Sequence, residues 1–223
     1  MTSSLLFPDM AELPGFDFPM ALSEKYRPSR IADFAGLAET KRVLLGFAGN
    51  PRSIGMLFVG PAGTGKTSMG IAVARETQGF LHHVPAGCCT VDAIRELAFS
   101  CHYCPPMGFK RHVILIDEAD RMSAAAQLAC LSYLDGTATI PDTVWIFTCN
   151  ATDTLQDRFL SRCRNLPFST YQIQSDAAQL MARVWAAETD APAPNMARII
   201  KENNGNVRAA LSVLDSRLDA LHS

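Results

Sequence analysis

The stretch Gly60-Pro61-Ala62-Gly63-Thr64-Gly65-Lys66-Thr67, entered directly from the apolar run Met56-Leu57-Phe58-Val59, restricts the fold of this chain more than any other feature. A short buried strand must give way to a glycine-rich turn and then to a helix opening at about Lys66. The glycines admit backbone conformations closed to other residues, so successive N–H groups can converge on one anion. The helix N-terminus adds its dipole and its unpaired amides at the same point. In that context the spacing G-x-x-x-x-G-K-[ST] reads as a phosphate-binding loop. Lys66 is expected to neutralise the β- and γ-phosphates of a nucleotide, and the Thr67 hydroxyl to ligate Mg²⁺. Residues Gly60 to Ser68 form the expected cofactor-binding loop.

Two later runs are placed to complete such a site. His112-Val113-Ile114-Leu115-Ile116 is continuously apolar after its histidine and closes on Asp117-Glu118. A strand buried on both faces reads this way, and its C-terminal end is where ligands bind in open α/β sheets. Asp117 is therefore expected to hold Mg²⁺ through water, and Glu118 to orient or deprotonate the attacking water. Val144-Trp145-Ile146-Phe147-Thr148-Cys149 is another buried strand and ends on Asn150, an amide able to fix a water or a γ-phosphate oxygen, or simply to form a turn. Arg158, Arg162 and Arg164 fall within seven residues of one another. They form either a solvated basic face or a cluster offered to an anion on another molecule.

Strand candidates at 56–59, 80–84, 112–116, 144–149 and 165–168 alternate with helical periods, the order of an α/β fold with a parallel sheet. Thr67 to Gln78 is expected to be a helix stopped by Gly79, and Thr90 to cap a helix that puts Cys101 in a core stripe. Ser123 is expected to cap a helix ending at Gly136. From about Ser169 the strands stop. Ser175 is expected to cap a helix burying Leu180, Met181, Val184 and Trp185. A short helix at Met196–Ile200 follows the linker Ala191-Pro192-Ala193-Pro194. A last helix has the stripe Val207, Leu211, Leu214, Leu218, Leu221. The expected organisation is an extended arm over residues 1–22, a phosphate-loop α/β domain over 23–168 and a small three-helix satellite bundle over 169–223.

A net charge of −2 gives no bulk attraction to nucleic acid, so any DNA contact must be a local patch. No run nears the roughly 18 apolar residues that span a bilayer, and no signal-peptide pattern opens the chain; a cytoplasmic protein without membrane partners is expected. Cys101-His102-Tyr103-Cys104 is a C-x-x-C, with Cys88-Cys89 and His82-His83 upstream. A zinc site from these groups is conceivable, but no second C-x-x-C or H-x₃₋₅-H completes the pattern, and reduced structural thiols are the expectation.

In their order, these pieces resemble the AAA+ ATPase subunits of sliding-clamp loaders. The resemblance runs from about Ser23 to Leu218. It rests on Glu24-Lys25-Tyr26-Arg27-Pro28, the phosphate loop, Asp117-Glu118-Ala119-Asp120, Asn150, Leu160-Ser161-Arg162-Cys163 and Gly205-Asn206-Val207-Arg208. The Ser-Arg-Cys tripeptide is the sharpest of these. The resemblance implies that Tyr26, Arg27 and Pro28 lie near the adenine, that Asn150 is sensor 1, and that Arg208 is the sensor 2 arginine reaching the γ-phosphate. It implies that Arg162 is a finger inserted into the neighbouring subunit's site. Its implied partners are a sliding clamp, primer–template DNA, and other loader subunits or further copies in a ring-like oligomer.

Two features differ from the family pattern. The stretch Cys130-Leu131-Ser132-Tyr133-Leu134-Asp135 contains no arginine where loader subunits carry one or two, and it is closer to phage members, whose location would be the host cytoplasm. The helical collar that follows the lid in the family has no counterpart in these 223 residues. A stand-alone AAA+ ATPase in another DNA transaction and a non-catalytic nucleotide-sensing subunit remain alternative readings.

Overall fold

The computed structural model describes residues 20–135 and 140–222. Most of the expected N-terminal arm, and the expected helix end at Gly136, lie outside the described residues. The arm's last residue does not belong to it: Leu22 is buried and opens the short helix α1 (Leu22–Lys25), whose first amide is bonded by Asp215. A 3₁₀ turn at Ile31–Asp33 and helix α2 (Ala38–Gly49) follow.

The core alternates strand and helix. In chain order come β1 (Ile54–Val59), α3 (Lys66–Glu76), β2 (Gly79–Pro85), α4 (Val91–Ser100), β3 (Arg111–Asp117), α5 (Ala124–Leu134), β4 (Thr143–Cys149), α6 (Asp157–Leu160) and β5 (Cys163–Pro167). The strands form one parallel five-stranded sheet in the order β2-β3-β4-β1-β5. Val113 to Ile116 and Val144 to Phe147 are almost wholly inaccessible, as expected of strands covered on both faces. On one face Leu115 and Ile146 pack against α3, close enough that a Cβ on Gly70 would stand 2.8 Å from Leu115 Cδ1. On the other face Ile114, Ile116 and Phe147 meet Ile94 and Ala98 of α4 and Ala126 and Cys130 of α5. Thr90 and Ser123 cap α4 and α5 through Ala93 N and Ala126 N, as the sequence implies.

Three helices close the chain: α7 (Thr170–Glu188), α8 (Met196–Glu202) and α9 (Val207–His222). Their apolar stripes share a cluster with Phe58, Phe168 and Leu44, so they rest on the α2/α3 side of the sheet. Three details depart from the sequence reading. Helix α7 does not start at Ser175 but runs through it, because Ile173 and Ala177 extend the stripe of Met181 and Val184 backward. Leu221 is exposed, one turn beyond the packed end of the α9 stripe. Gly79 is not the stop of α3: Thr77 ends that helix and Gln78 takes the left-handed conformation, at φ 55°. Gly79 opens β2, where a Cβ would lie 2.3 Å from Val113 Cγ2. Among the described residues no helix is long and apolar enough to cross a membrane.

Candidate nucleotide-binding site

The loop between β1 and α3 is anchored where it leaves β1. Gly60 donates to Cys149 O, while the Phe168 amide donates to Val59 O. The second contact brings Phe168 O to 2.1 Å from where a Gly60 Cβ would stand. Gly63 and Gly65 have φ of 75° and 89°, which lets the loop turn its amides inward before α3 begins at Lys66. The head of α9 touches the same loop. Asn206 caps α9 by accepting from Ala209 N, and its Oδ1 would stand 1.8 Å from a Cβ on Gly63.

Lys66 is only 8% exposed, and its Nζ donates to Gly60 O (2.6 Å), Pro61 O (2.8 Å) and Asn150 Oδ1 (3.1 Å). Burial pushes its ammonium below the usual lysine range, with Cys149, Asp117 and Asp120 acting in the opposite direction. An incoming phosphate would restore the charged form more strongly than the carbonyls do. The Thr67 hydroxyl donates to Asp117 Oδ1 at 2.8 Å, and Thr148 bonds the same oxygen. A hydroxyl and a carboxylate so paired are the hard oxygen donors that suit Mg²⁺. Glu118 adopts φ 60° and ψ 47°, uncommon for a residue with a side chain, and its amide is fixed by Thr148 Oγ1 at 3.1 Å. Its carboxylate pairs with Arg121 at 2.9 Å.

Two adjoining cavities make one cleft. The polar part is lined by Lys66, Thr67, Asp117, Glu118, Asn150 and Arg208. The apolar part lies between Tyr26, Pro28 and Phe34 on one side and Ile173, Leu180 and Val207 on the other. Arg27, Gly63, Gly65, Ser68 and Arg208 line both. Flat apolar walls beside an anion cradle suit a base attached to a polyphosphate. Tyr26 is set by Glu188 at the end of α7, which bonds its hydroxyl and pairs with Lys25 at 2.7 Å.

Residues 56–170 match the ATPase family associated with various cellular activities (AAA). The chain belongs to the AAA family of ATPases. It is 30% identical over 203 residues to the replication factor C small subunit of Picrophilus torridus, covering 87% of this chain and 63% of that protein. To replication factor C subunit 4 of Oryza sativa subsp. japonica it is 27% identical over 222 residues, covering 96% of this chain and 64% of that protein. The chain thus spans about three fifths of the length of these curated relatives. Among solved structures, a RuvB variant of Thermotoga maritima superposes with a TM-score of 0.72 at 18% identity, over 88% of this chain and 68% of that one. At that identity the likeness concerns the fold.

In this AAA ATPase the structure gathers most of the expected residues into one cleft; Gly60 and Pro61, whose carbonyls accept from Lys66 Nζ, are not among those that line it. Arg162 does not line it either. Cys163 pairs with Gly55 and Pro167 with Val59, so Arg162 stands at the opposite end of β5 from the phosphate loop. The strand rise puts it about 20 Å away along the sheet. There it bonds Asp135 through Nε and donates from Nη1 to Arg158 O at 2.7 Å. Two residues at the cleft were not picked out from the sequence. Thr148 bonds both Asp117 and Glu118, and His83 Nε2 lies 3.9 Å from Asp117 Oδ2. The register carries the signal for His83: Pro85 is opposite Asp117, which sets His83 one full strand period back on the neighbouring strand.

Proposed function

We propose that this chain is an ATP-hydrolysing subunit of a sliding-clamp loader. It works in a ring-like assembly with other loader subunits or further copies of itself, and hydrolysis drives placement of a sliding clamp on primer–template DNA. Residues 23–168 act as the ATPase domain and 169–223 as a lid, in the cytoplasm of a cell or of a phage host. The observation that carries the proposal is the division of the arginines. Arg208 enters the cleft from the head of α9, whereas Arg162, in its Ser-Arg-Cys setting, stands beyond reach of its own phosphate loop.

Catalysis in this reading is positioning and charge neutralisation. Tyr26, Arg27 and Pro28 seat the adenine. Amides of residues 60–68 bind the phosphates, and Lys66 leaves the carbonyls of Gly60 and Pro61 to meet them. Thr67 and Asp117 would hold Mg²⁺, which would supply charge neutralisation at the phosphates. Glu118, freed from Arg121, accepts a proton from the attacking water that Asn150 helps to orient. Arg208 reports the γ-phosphate to the lid, and a neighbour's Arg162 neutralises charge as the bond breaks.

The test is native mass spectrometry of the chain with a non-hydrolysable ATP analogue, alone and with the sliding clamp and loader proteins of the same genome. Nucleotide-dependent assembly that retains the clamp supports the proposal. Nucleotide binding by a chain that associates with neither clamp nor loader proteins assigns it to a different DNA transaction.

A further inference from the structure

On the sheet face away from α3, and near the end of the strands remote from the nucleotide cleft, three chemistry-bearing side chains converge. His82 on β2, His112 on β3 and Cys101 at the C-terminus of α4 present ligand atoms that all lie within 4.8 Å of one another. His82 Nε2 is 2.9 Å from His112 Nδ1, and Cys101 Sγ is 3.8 Å from His82 Nε2. Cys101 and His112 are buried, at 2% and 4% exposure, and His82 is half-buried. None of these side chains lines the nucleotide cleft.

The hydrogen bonds fix which lone pairs are available. His112 Nε2 lies 2.9 Å from Tyr103 O, which can only accept, so Nε2 carries the proton and Nδ1 presents a lone pair to the cluster. A backbone carbonyl holding the remote nitrogen is the arrangement that orients a metal-bound histidine. Phe80 packs its ring edge-on to both imidazoles, with centroids 4.9 and 6.3 Å away, and supplies an apolar wall.

We propose that His82, Cys101 and His112 bind a divalent cation of the zinc type, with water at the fourth position. Two imidazoles and a thiol form a donor set that favours Zn²⁺ over the Mg²⁺ of the nucleotide cleft. Tetrahedral Zn²⁺ with ordinary bond lengths sets its nitrogens about 3.3 Å apart and nitrogen from sulfur about 3.5 Å. Shifts of a few tenths of an ångström bring the observed His–His and Cys–His82 separations to those values. Binding replaces the Cys101 S–H bond by a sulfur–metal bond and releases that proton to solvent. His82 moves its ring proton from Nε2 to Nδ1. The ion then ties the edge strand β2 and its neighbour β3 to the end of α4.

This set differs from what the C-x-x-C suggests. Cys104 is exposed and stands outside the cluster, as do Cys88 and Cys89.

Titration of chelator-treated full-length chain with Co²⁺ in excess Mg²⁺ reads the site directly. Stoichiometric binding is expected, with the intense visible bands of a tetrahedral ion and a thiolate-to-metal charge-transfer band. Zn²⁺ should displace it, and the Tm should rise with Zn²⁺ concentration. Cys101→Ala should remove the charge-transfer band, His82→Asn should weaken binding at least tenfold, and Cys104→Ser should change neither. A thermal melt without metal shows that each variant folds. Wild-type chain that binds no Co²⁺, a band that survives in folded Cys101→Ala, or a band lost in Cys104→Ser overturns the assignment.

Discussion

Replacing Arg162 by alanine separates two roles that a single arginine could have. The side chain stands about 20 Å along β5 from its own phosphate loop, so nothing in its own cleft is lost with it. Its Asp135 partner and its own guanidinium are each about one third exposed, at 39% and 33%. Breaking such a pair costs within about 1 kcal/mol, which lowers Tm by no more than about 2–4 °C for a chain of this size. ATP affinity should therefore equal that of the parent. Hydrolysis in the assembly should fall by about 10³–10⁵ if the arginine completes a neighbour's site, equivalent to roughly 4–7 kcal/mol of transition-state stabilisation. The isolated monomer should be nearly as inert as the variant. Mixing supplies the geometric assay, because on the proposed roles Glu118→Gln would keep the arginine finger and lose the base while Arg162→Ala would keep the base and lose the finger. Activity should reappear in mixed assemblies and pass through a maximum with the mixing ratio. If each variant is inert alone and every mixture stays inert despite demonstrated co-assembly, Arg162 does not act on a neighbour and the reasoning fails.

Lys66→Ala should abolish tight ATP binding, since the buried ammonium is the phosphate loop's full positive charge; equilibrium titration giving an affinity within about threefold of the parent contradicts the site. Glu118→Gln should bind ATP normally and hydrolyse almost none, because an amide cannot take the proton; parental turnover in the assembled complex removes Glu118 from the mechanism. Gly63→Ala should cost about 1–3 kcal/mol from its φ of 75°. It should also disturb the Asn206 cap of α9, worth about 1 kcal/mol, because the new Cβ would stand 1.8 Å from that side chain. An unchanged melt with unchanged ATP affinity shows that the loop and α9 are not coupled in this way.

The sheet and the cleft were legible where one residue type has one structural use. A glycine-rich turn after Met56–Val59 could be read because Gly63 and Gly65 do take positive φ. The acids after Ile116 and the amide after Cys149 could be read because apolar runs ending in polar residues fix where strands stop. Helix starts were less legible. Ser175 looks like a cap, yet the packing of Ile173 and Ala177 carries α7 past it, since burial outweighs a local preference for capping. Contacts that depend on strand register were invisible. His83 reaches Asp117, and His82 meets His112 rather than the neighbouring C-x-x-C, only because β2 pairs with β3 in the register that sets Pro85 against Asp117. Likewise Asn206 beside Gly63 requires the last helix to return to the first loop across more than half the chain. The position of Arg162 had the opposite character: its tripeptide was visible, while its distance from the phosphate loop emerged only once β5 was paired with β1.

The most direct test of the account is steady-state ATP hydrolysis by the assembled protein, measured with and without the sliding clamp of the same genome and primer–template DNA. Hydrolysis should be slow in the protein alone, should rise when clamp and primed DNA are supplied together, and should leave clamp on the DNA afterwards. A rate indifferent to both ligands, in an assembly that binds them, contradicts a clamp loader.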